Sequence, residues 1–221
     1  MSDCFVSWSG GKDCCLALYR AKRMGLVPRR FLTMLVEDGL RSRSHGLPEA
    51  VLRAQAAAAG AEIEFVPTTW DDYEEKFIAA AERLAREGLA TGVFGDIDGQ
   101  RNRDWVEMAC AKAGVSPVEP LWAAPRRELL AEFIDAGFAA RVVVARADLL
   151  EESFLGRPVD WKLVEDLEAR GLDASGENGE YHTAVTGGPV FARAVELREA
   201  SRSLRGDCWF LEVDLKDQEQ Q

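Results

Sequence analysis

The chain is short of the residues that build metal centres, disulfide frameworks and membrane spans. It has two histidines, His45 and His182, too few for a histidine-rich metal site. Its five cysteines, at 4, 14, 15, 110 and 208, are odd in number and form no CxxC pair. That argues against a disulfide framework or a four-cysteine zinc site and for a reducing compartment, so the cytoplasm is the expected location. No apolar run approaches the roughly 20 residues a membrane span requires, and no basic-then-apolar leader opens the chain, so neither a membrane nor export is expected. Positive charge is also scarce: 27 Lys and Arg against 38 Asp and Glu leave a net charge of −11. Enzymes of nucleic acids must neutralise phosphates and most are basic, so this balance counts against a nucleic-acid partner. Basic clusters such as Arg20, Lys22 and Arg23, Arg41 and Arg43, or Arg126 and Arg127 read as solvated faces or nucleotide contacts.

What is present begins with Ser9-Gly10-Gly11-Lys12-Asp13-Cys14. The stretch follows an apolar segment, Cys4 to Trp8, and opens a helical pattern that runs through Cys15 to Lys22. A strand entering a glycine turn and then a helix N-terminus suits phosphate. Glycines let the backbone approach the anion, and the first helical turn offers N–H groups without intrahelical partners. Lys12 adds a mobile cation and Ser9 a hydroxyl donor. A Walker A loop is excluded, because it needs four residues before its Gly-Lys pair and Ser or Thr after it. Asp13 is suited either to Mg²⁺, directly or through water, or to capping the helix start.

With 221 residues, 47% of them apolar, the chain has room for one large domain or two small ones. Its first part alternates strand and helix: strand-like Phe31–Val36, a loop from Glu37 to Leu47, a helix from Pro48 to Ala59 and a strand over Glu62–Val66. A helix from Tyr73 to Arg86, capped by Asp71 or Asp72, follows. Next come a strand over Thr91–Asp96 and a helix from Asp104 to Ala113. Repeated βα units imply a doubly wound parallel sheet, with ligands at the carboxyl ends of its strands. The phosphate loop and the loops at 37–47 and 95–104 fall at that edge. Past Gly114 the pattern changes to a second, smaller α/β region, with a helix over Arg126–Ala136, a strand over Ala140–Ala145, a helix over Leu163–Ala169 and extended segments at Tyr181–Val185 and Cys208–Val213. We expect domains at 1–117 and 118–216 and a disordered tail at 217–221.

A second unusual segment is Gly176-Glu177-Asn178-Gly179-Glu180-Tyr181-His182-Thr183. So many polar groups between glycines suit a loop better than a core. Asp96 to Glu107 imitates a calcium-loop spacing, but Arg101 stands where the turn glycine belongs and a strand precedes it, so a nucleotide-edge loop is the better account. Asp96 there suits ribose, metal or substrate. His45 either touches nucleotide or fixes its own loop.

The first motif resembles the SGGKD loop of the N-type ATP pyrophosphatases, the PP-loop enzymes. Together with Arg43-Ser44-His45-Gly46, Phe94-Gly95-Asp96-Ile97, Pro120-Leu121-Trp122, Leu155-Gly156-Arg157 and Gly176–Thr183, it makes the chain similar to the diphthine–ammonia ligase family. Cys14 stands where that family usually has serine. The Asn178 and His182 version of the second motif looks like a bacterial-type branch. The resemblance implies a HUP-type nucleotide-binding domain and a family-specific C-terminal domain. It also implies ATP and Mg²⁺ as cofactors, adenylation of a small-molecule or protein-borne carboxylate with release of pyrophosphate, and amidation by ammonia. Ser9, Gly10, Gly11, Lys12, Asp13, Cys14, His45, Gly95 and Asp96 would then bind the nucleotide, with Asp13 on the metal. Glu177, Glu180 or His182 would take the ammonium proton, Glu180 first among them. Asn178, Tyr181 and Thr183 would face the substrate. Other PP-loop enzymes modify tRNA, and a non-catalytic ATP-binding regulator would share the loop; both readings stay open beside the ligase, as does a homo-oligomer.

Overall fold

The computed structural model describes residues 2–43 and 45–216; the expected tail at 217–221 and Ser44 lie outside them. Buried strands alternate with amphipathic helices through the first half: β1 (Ser2–Ser7), α1 (Lys12–Arg23), β2 (Leu26–Leu35), α2 (Glu49–Ala59), β3 (Glu62–Pro67), α3 (Tyr73–Arg86), β4 (Thr91–Val93), α4 (Gln100–Ala113) and β5 (Ser116–Val118). They make a five-stranded parallel sheet in the order β3-β2-β1-β4-β5. The order reverses between β1 and β4, and the loops leaving those strands diverge to open a crevice. Apolar faces of α1 and α2 pack on one side of the sheet, and α3 and α4 on the other around Phe5, Phe77 and Phe94.

The second half comprises α5 (Arg126–Asp135), β6 (Ala139–Arg146), α6 (Trp161–Ala169), β7 (Tyr181–Gly187), β8 (Leu197–Arg205) and β9 (Cys208–Leu215). Its four strands form an antiparallel sheet, β7-β6-β9-β8. One apolar core joins the halves: Val6 and Leu18 belong to the same buried cluster as Val142, Leu163 and Val185. The two sheets are therefore held as one body, and β7 lies against the phosphate loop.

Several element bounds differ from the sequence expectation. The first helix starts at Lys12 rather than Cys15, and α4 at Gln100 rather than Asp104. The strand expected over Thr91–Asp96 stops at Val93, leaving Phe94 to Asp96 to turn into the crevice. Asp72 does stand before α3, but its carboxylate accepts the Thr69 N–H at 2.7 Å instead of capping the helix. Two strands were not expected. β5 carries Pro117 and is only three residues long, and β8 is an edge strand exposed along most of its length.

Candidate active site

The chain between β1 and α1 passes through two close approaches. Gly10 has φ +81°, and a Cβ there would come within 2.6 Å of the Gln55 Oε1. A Cβ on Gly11 would sit 2.2 Å from Cε1 of His45. From the other side Gly95 presses on the start of α1, where a Cβ would meet the backbone of Asp13 and Cys14 at 3.0 Å. Gly11 is the N-cap and has no side chain to cap with, so any side-chain cap on the first turn of α1 has to come from elsewhere in the chain. Within the loop, Ser9 Oγ donates to the Cys14 sulfur at 3.4 Å, and the Cys14 thiol donates to the Gly11 carbonyl at 3.2 Å.

The second motif closes on this loop from β7. Lys12 donates its backbone N–H to the Thr183 hydroxyl at 3.0 Å, and His45 Nδ1 lies 2.7 Å from the Thr183 carbonyl. The Lys12 ammonium is buried, 2.8 Å from Asp13 and 3.3 Å from Glu177. Burial alone would lower its pKa, but Asp13, Tyr181 and Glu177 outweigh that and raise it, so Lys12 stays charged. Glu177 is pushed up to about 7, by burial first and by Asp13 in addition, against the pull of Lys12. His45 is lowered to about 3 by burial and by His182, whose ring is 4.8 Å away, and burial lowers His182 as well.

Other members of the motif hold their own loop. Glu180 is buried, and its carboxylate accepts the Asn178 backbone N–H at 3.0 Å, the Asn178 amide at 3.2 Å and the Asp173 N–H at 3.3 Å. The Tyr181 hydroxyl donates to the Ala174 carbonyl at 2.7 Å. Asn178 is exposed and accepts from Arg126.

Beside the loop a cleft of ≈480 Å³ opens at the carboxyl ends of β1, β2 and β4, a size suited to a nucleotide. Ser9, Asp13 and Cys14 line one part and Gly95 and Asp96 another. Arg43, stacked on Trp70 with its guanidinium carbon 4.4 Å from the ring centroid, lines it too. Burial raises the pKa of Asp96, and Asp13 adds to the rise. Among the described residues no group of three or more His, Cys, Asp or Glu side chains could hold a metal alone. The donor set therefore fits Mg²⁺ only where phosphate oxygens supply most of its ligands, with Asp13 and Asp96 as the available carboxylates.

One structural residue escaped the sequence reading. Gln55 is fully buried, accepts the Trp8 indole N–H at 3.0 Å and donates to the carbonyls of Gly10 at 3.0 Å and Val185 at 2.8 Å. A lone amide on the inward face of an alanine-rich helix was the signal for it.

A 3-2-1-4-5 parallel sheet whose first strand runs through a glycine turn into such a helix start, beside a cleft at the switch point, defines a nucleotide-binding α/β protein. The comparisons narrow the class. The diphthamide synthase N-terminal domain matches residues 3–117 and the diphthamide synthase C-terminal domain residues 125–218, so the chain belongs to the diphthamide synthase family, and membership makes it an ATP-dependent ligase. The diphthine–ammonia ligase of Danio rerio is 27% identical over 93% of this chain and 90% of its own length. That of Bos taurus is 30% identical over 57% of this chain and 47% of its own length, so the match spans less than half of the bovine protein. A solved structure described as a predicted subunit of tRNA methyltransferase, from Methanocaldococcus jannaschii, superposes with a TM-score of 0.45 at 17% identity, over 85% of this chain and 97% of that one. No helix among the described residues is long and apolar enough to cross a membrane.

Proposed function

We propose that the chain cleaves ATP next to its α-phosphate, activates a carboxylate of the diphthine type as an adenylate, and converts it to an amide with ammonia. The observation that carries this reading is the 3.3 Å contact between the Lys12 ammonium and the Glu177 carboxylate. It joins the phosphate loop to the second motif across the two halves of the molecule. Residues 1–117 supply the nucleotide side and 118–216 the ammonia and acceptor side.

In the first step a carboxylate oxygen of the acceptor attacks the α-phosphorus. The bridging P–O bond breaks, and pyrophosphate leaves with the electron pair into the turn at Ser9–Cys14. The N-terminus of α1 and the Lys12 charge stabilise that leaving group. Mg²⁺, when bound, supplies further neutralisation of the phosphate oxygens. In the second step the ammonia nitrogen attacks the acyl carbon, the bond to AMP breaks, and a proton passes from nitrogen to Glu177. Glu177 receives this role in place of Glu180, whose oxygens already accept the N–H groups of their own turn. His45 and His182, both neutral near pH 7, pack the loop against β7.

The test is an assay with α-labelled ATP, ammonium and a diphthine-bearing protein. AMP and pyrophosphate should form in step with the amide, and Lys12→Ala should slow pyrophosphate release by about 10²–10³-fold. ADP as the product, or a Lys12→Ala protein with undiminished pyrophosphate output, overturns the proposal.

A further inference from the structure

Behind the phosphate loop lies a second, much smaller cavity of ≈10 Å³, about the room one water-sized molecule needs. Ile97 and, from α5, Leu130 and Phe133 contribute to a mainly carbon wall that also carries Lys12, Asp13, Ser175 and Arg126. We infer that this cavity is an ammonia chamber, holding one neutral NH₃ until the adenylate forms. The inference rests on the amide-forming reading above and deepens it by naming the subsite for the nucleophile.

Three features support the assignment. The first is size: ammonia matches water in bulk, whereas methylamine carries an extra carbon for which the chamber has no room. The second is lining. A cation entering a carbon-walled space loses hydration without replacement; the wall's one carboxylate, Asp13, is already paired with Lys12 at 2.8 Å, and the Lys12 and Arg126 charges oppose a further cation, so the neutral form is favoured. The third is position. Asp13 lines both the chamber and the nucleotide cleft, so one side chain separates the stored nitrogen from the place where the acyl carbon is activated. With Asp96 left to hold the metal, release of Asp13 from its ion pair with Lys12 would let the nitrogen attack, and Glu177, held on Lys12, would take its proton. Arg126 marks the route in from outside. It reaches the surface, where its Nε and Nη2 lie 2.5 and 2.9 Å from the Asp98 carboxylate and its Nη1 bonds Asp173. Those ion pairs hold in place the Arg126 side chain that lines the chamber.

The experiment is a solid-state ¹³C–¹⁵N dipolar measurement on microcrystals of the whole protein carrying ¹³C in the isoleucine and leucine methyls. The crystals are soaked with a non-hydrolysable ATP analogue and ¹⁵N-ammonium chloride. Methyl dephasing by ¹⁵N should appear in the native protein and grow as pH rises and more neutral ammonia forms. It should vanish in Ile97→Phe, which fills the space. With ¹⁵N-methylamine the native protein should give no dephasing and Leu130→Ala, which enlarges the chamber, should give it; this arm stands even if Ile97→Phe fails to fold. No dephasing with ammonium in the native protein, equal dephasing in folded Ile97→Phe, or methylamine entering native and Leu130→Ala proteins alike overturns the chamber. ADP rather than AMP as the product of turnover would instead sink the ligase reading while leaving the isotope result intact, so the two failures are told apart.

Discussion

The backbone N–H of Lys12 donates to the hydroxyl of Thr183 at 3.0 Å, so the start of the first helix is capped by a residue from the far end of the chain. The cap matters because Gly11 offers no side chain of its own. Thr183→Val keeps the shape and removes the acceptor, leaving a buried N–H unpaired at a cost of about 1–3 kcal/mol. Urea denaturation should show that loss and calorimetry a weaker grip on ATP, while Thr183→Ser should restore both. A valine variant as stable as the parent would mean that the hydroxyl is dispensable.

The contact between Gly11 and His45 makes a sharper prediction. Gly11 has φ −92°, a conformation any residue adopts, so alanine is barred by space alone: its methyl would fall 2.2 Å from the His45 ring. Gly11→Ala must displace that ring and with it the bond to the Thr183 carbonyl. The expected result is an ATP affinity lower by about tenfold, equivalent to about 1.4 kcal/mol. Adding His45→Ala removes the obstacle, so the double variant should bind ATP better than Gly11→Ala alone. Strictly additive losses would show that the two residues act independently.

Much of this arrangement was legible in the residues, because its elements declare themselves locally. The strand, the glycine turn and the helix at 4–22 carry their own punctuation, and the bounds of α3 at Tyr73 and Arg86 follow from the Asp71-Asp72 pair before it and Gly88 after it. What was hidden depends on partners distant in the chain. β8 is mostly polar on both faces because it is an exposed edge, so no alternation marks it. β5 is too short and too rich in proline to announce a strand, and pairing with β4 defines it. The same holds in the site. Glu177 and Glu180 are chemically alike in the sequence, and only the fold turns one toward Lys12 and the other into its own turn.

That difference sets the pH dependence. Glu177 has its pKa raised to about 7 from an ordinary 4.5, chiefly by burial, whereas His45 and His182 are both lowered. If ionised Glu177 takes the proton from the attacking nitrogen, amide formation measured at a constant concentration of neutral ammonia should climb as pH rises through about 7. Pyrophosphate release, which does not need that base, should not follow it. Stability should move the other way. The folded state holds this proton more tightly than the unfolded one, so the contribution is fully present below pH 4.5 and is lost as pH rises through about 7. Glu177→Gln cannot titrate, so it should flatten the climb in amide formation and remove this part of the stability loss. Product mass analysis and urea denaturation across that range check both. A climb that survives in Glu177→Gln would move the proton to another group and leave Glu177 as a structural counter-ion to Lys12.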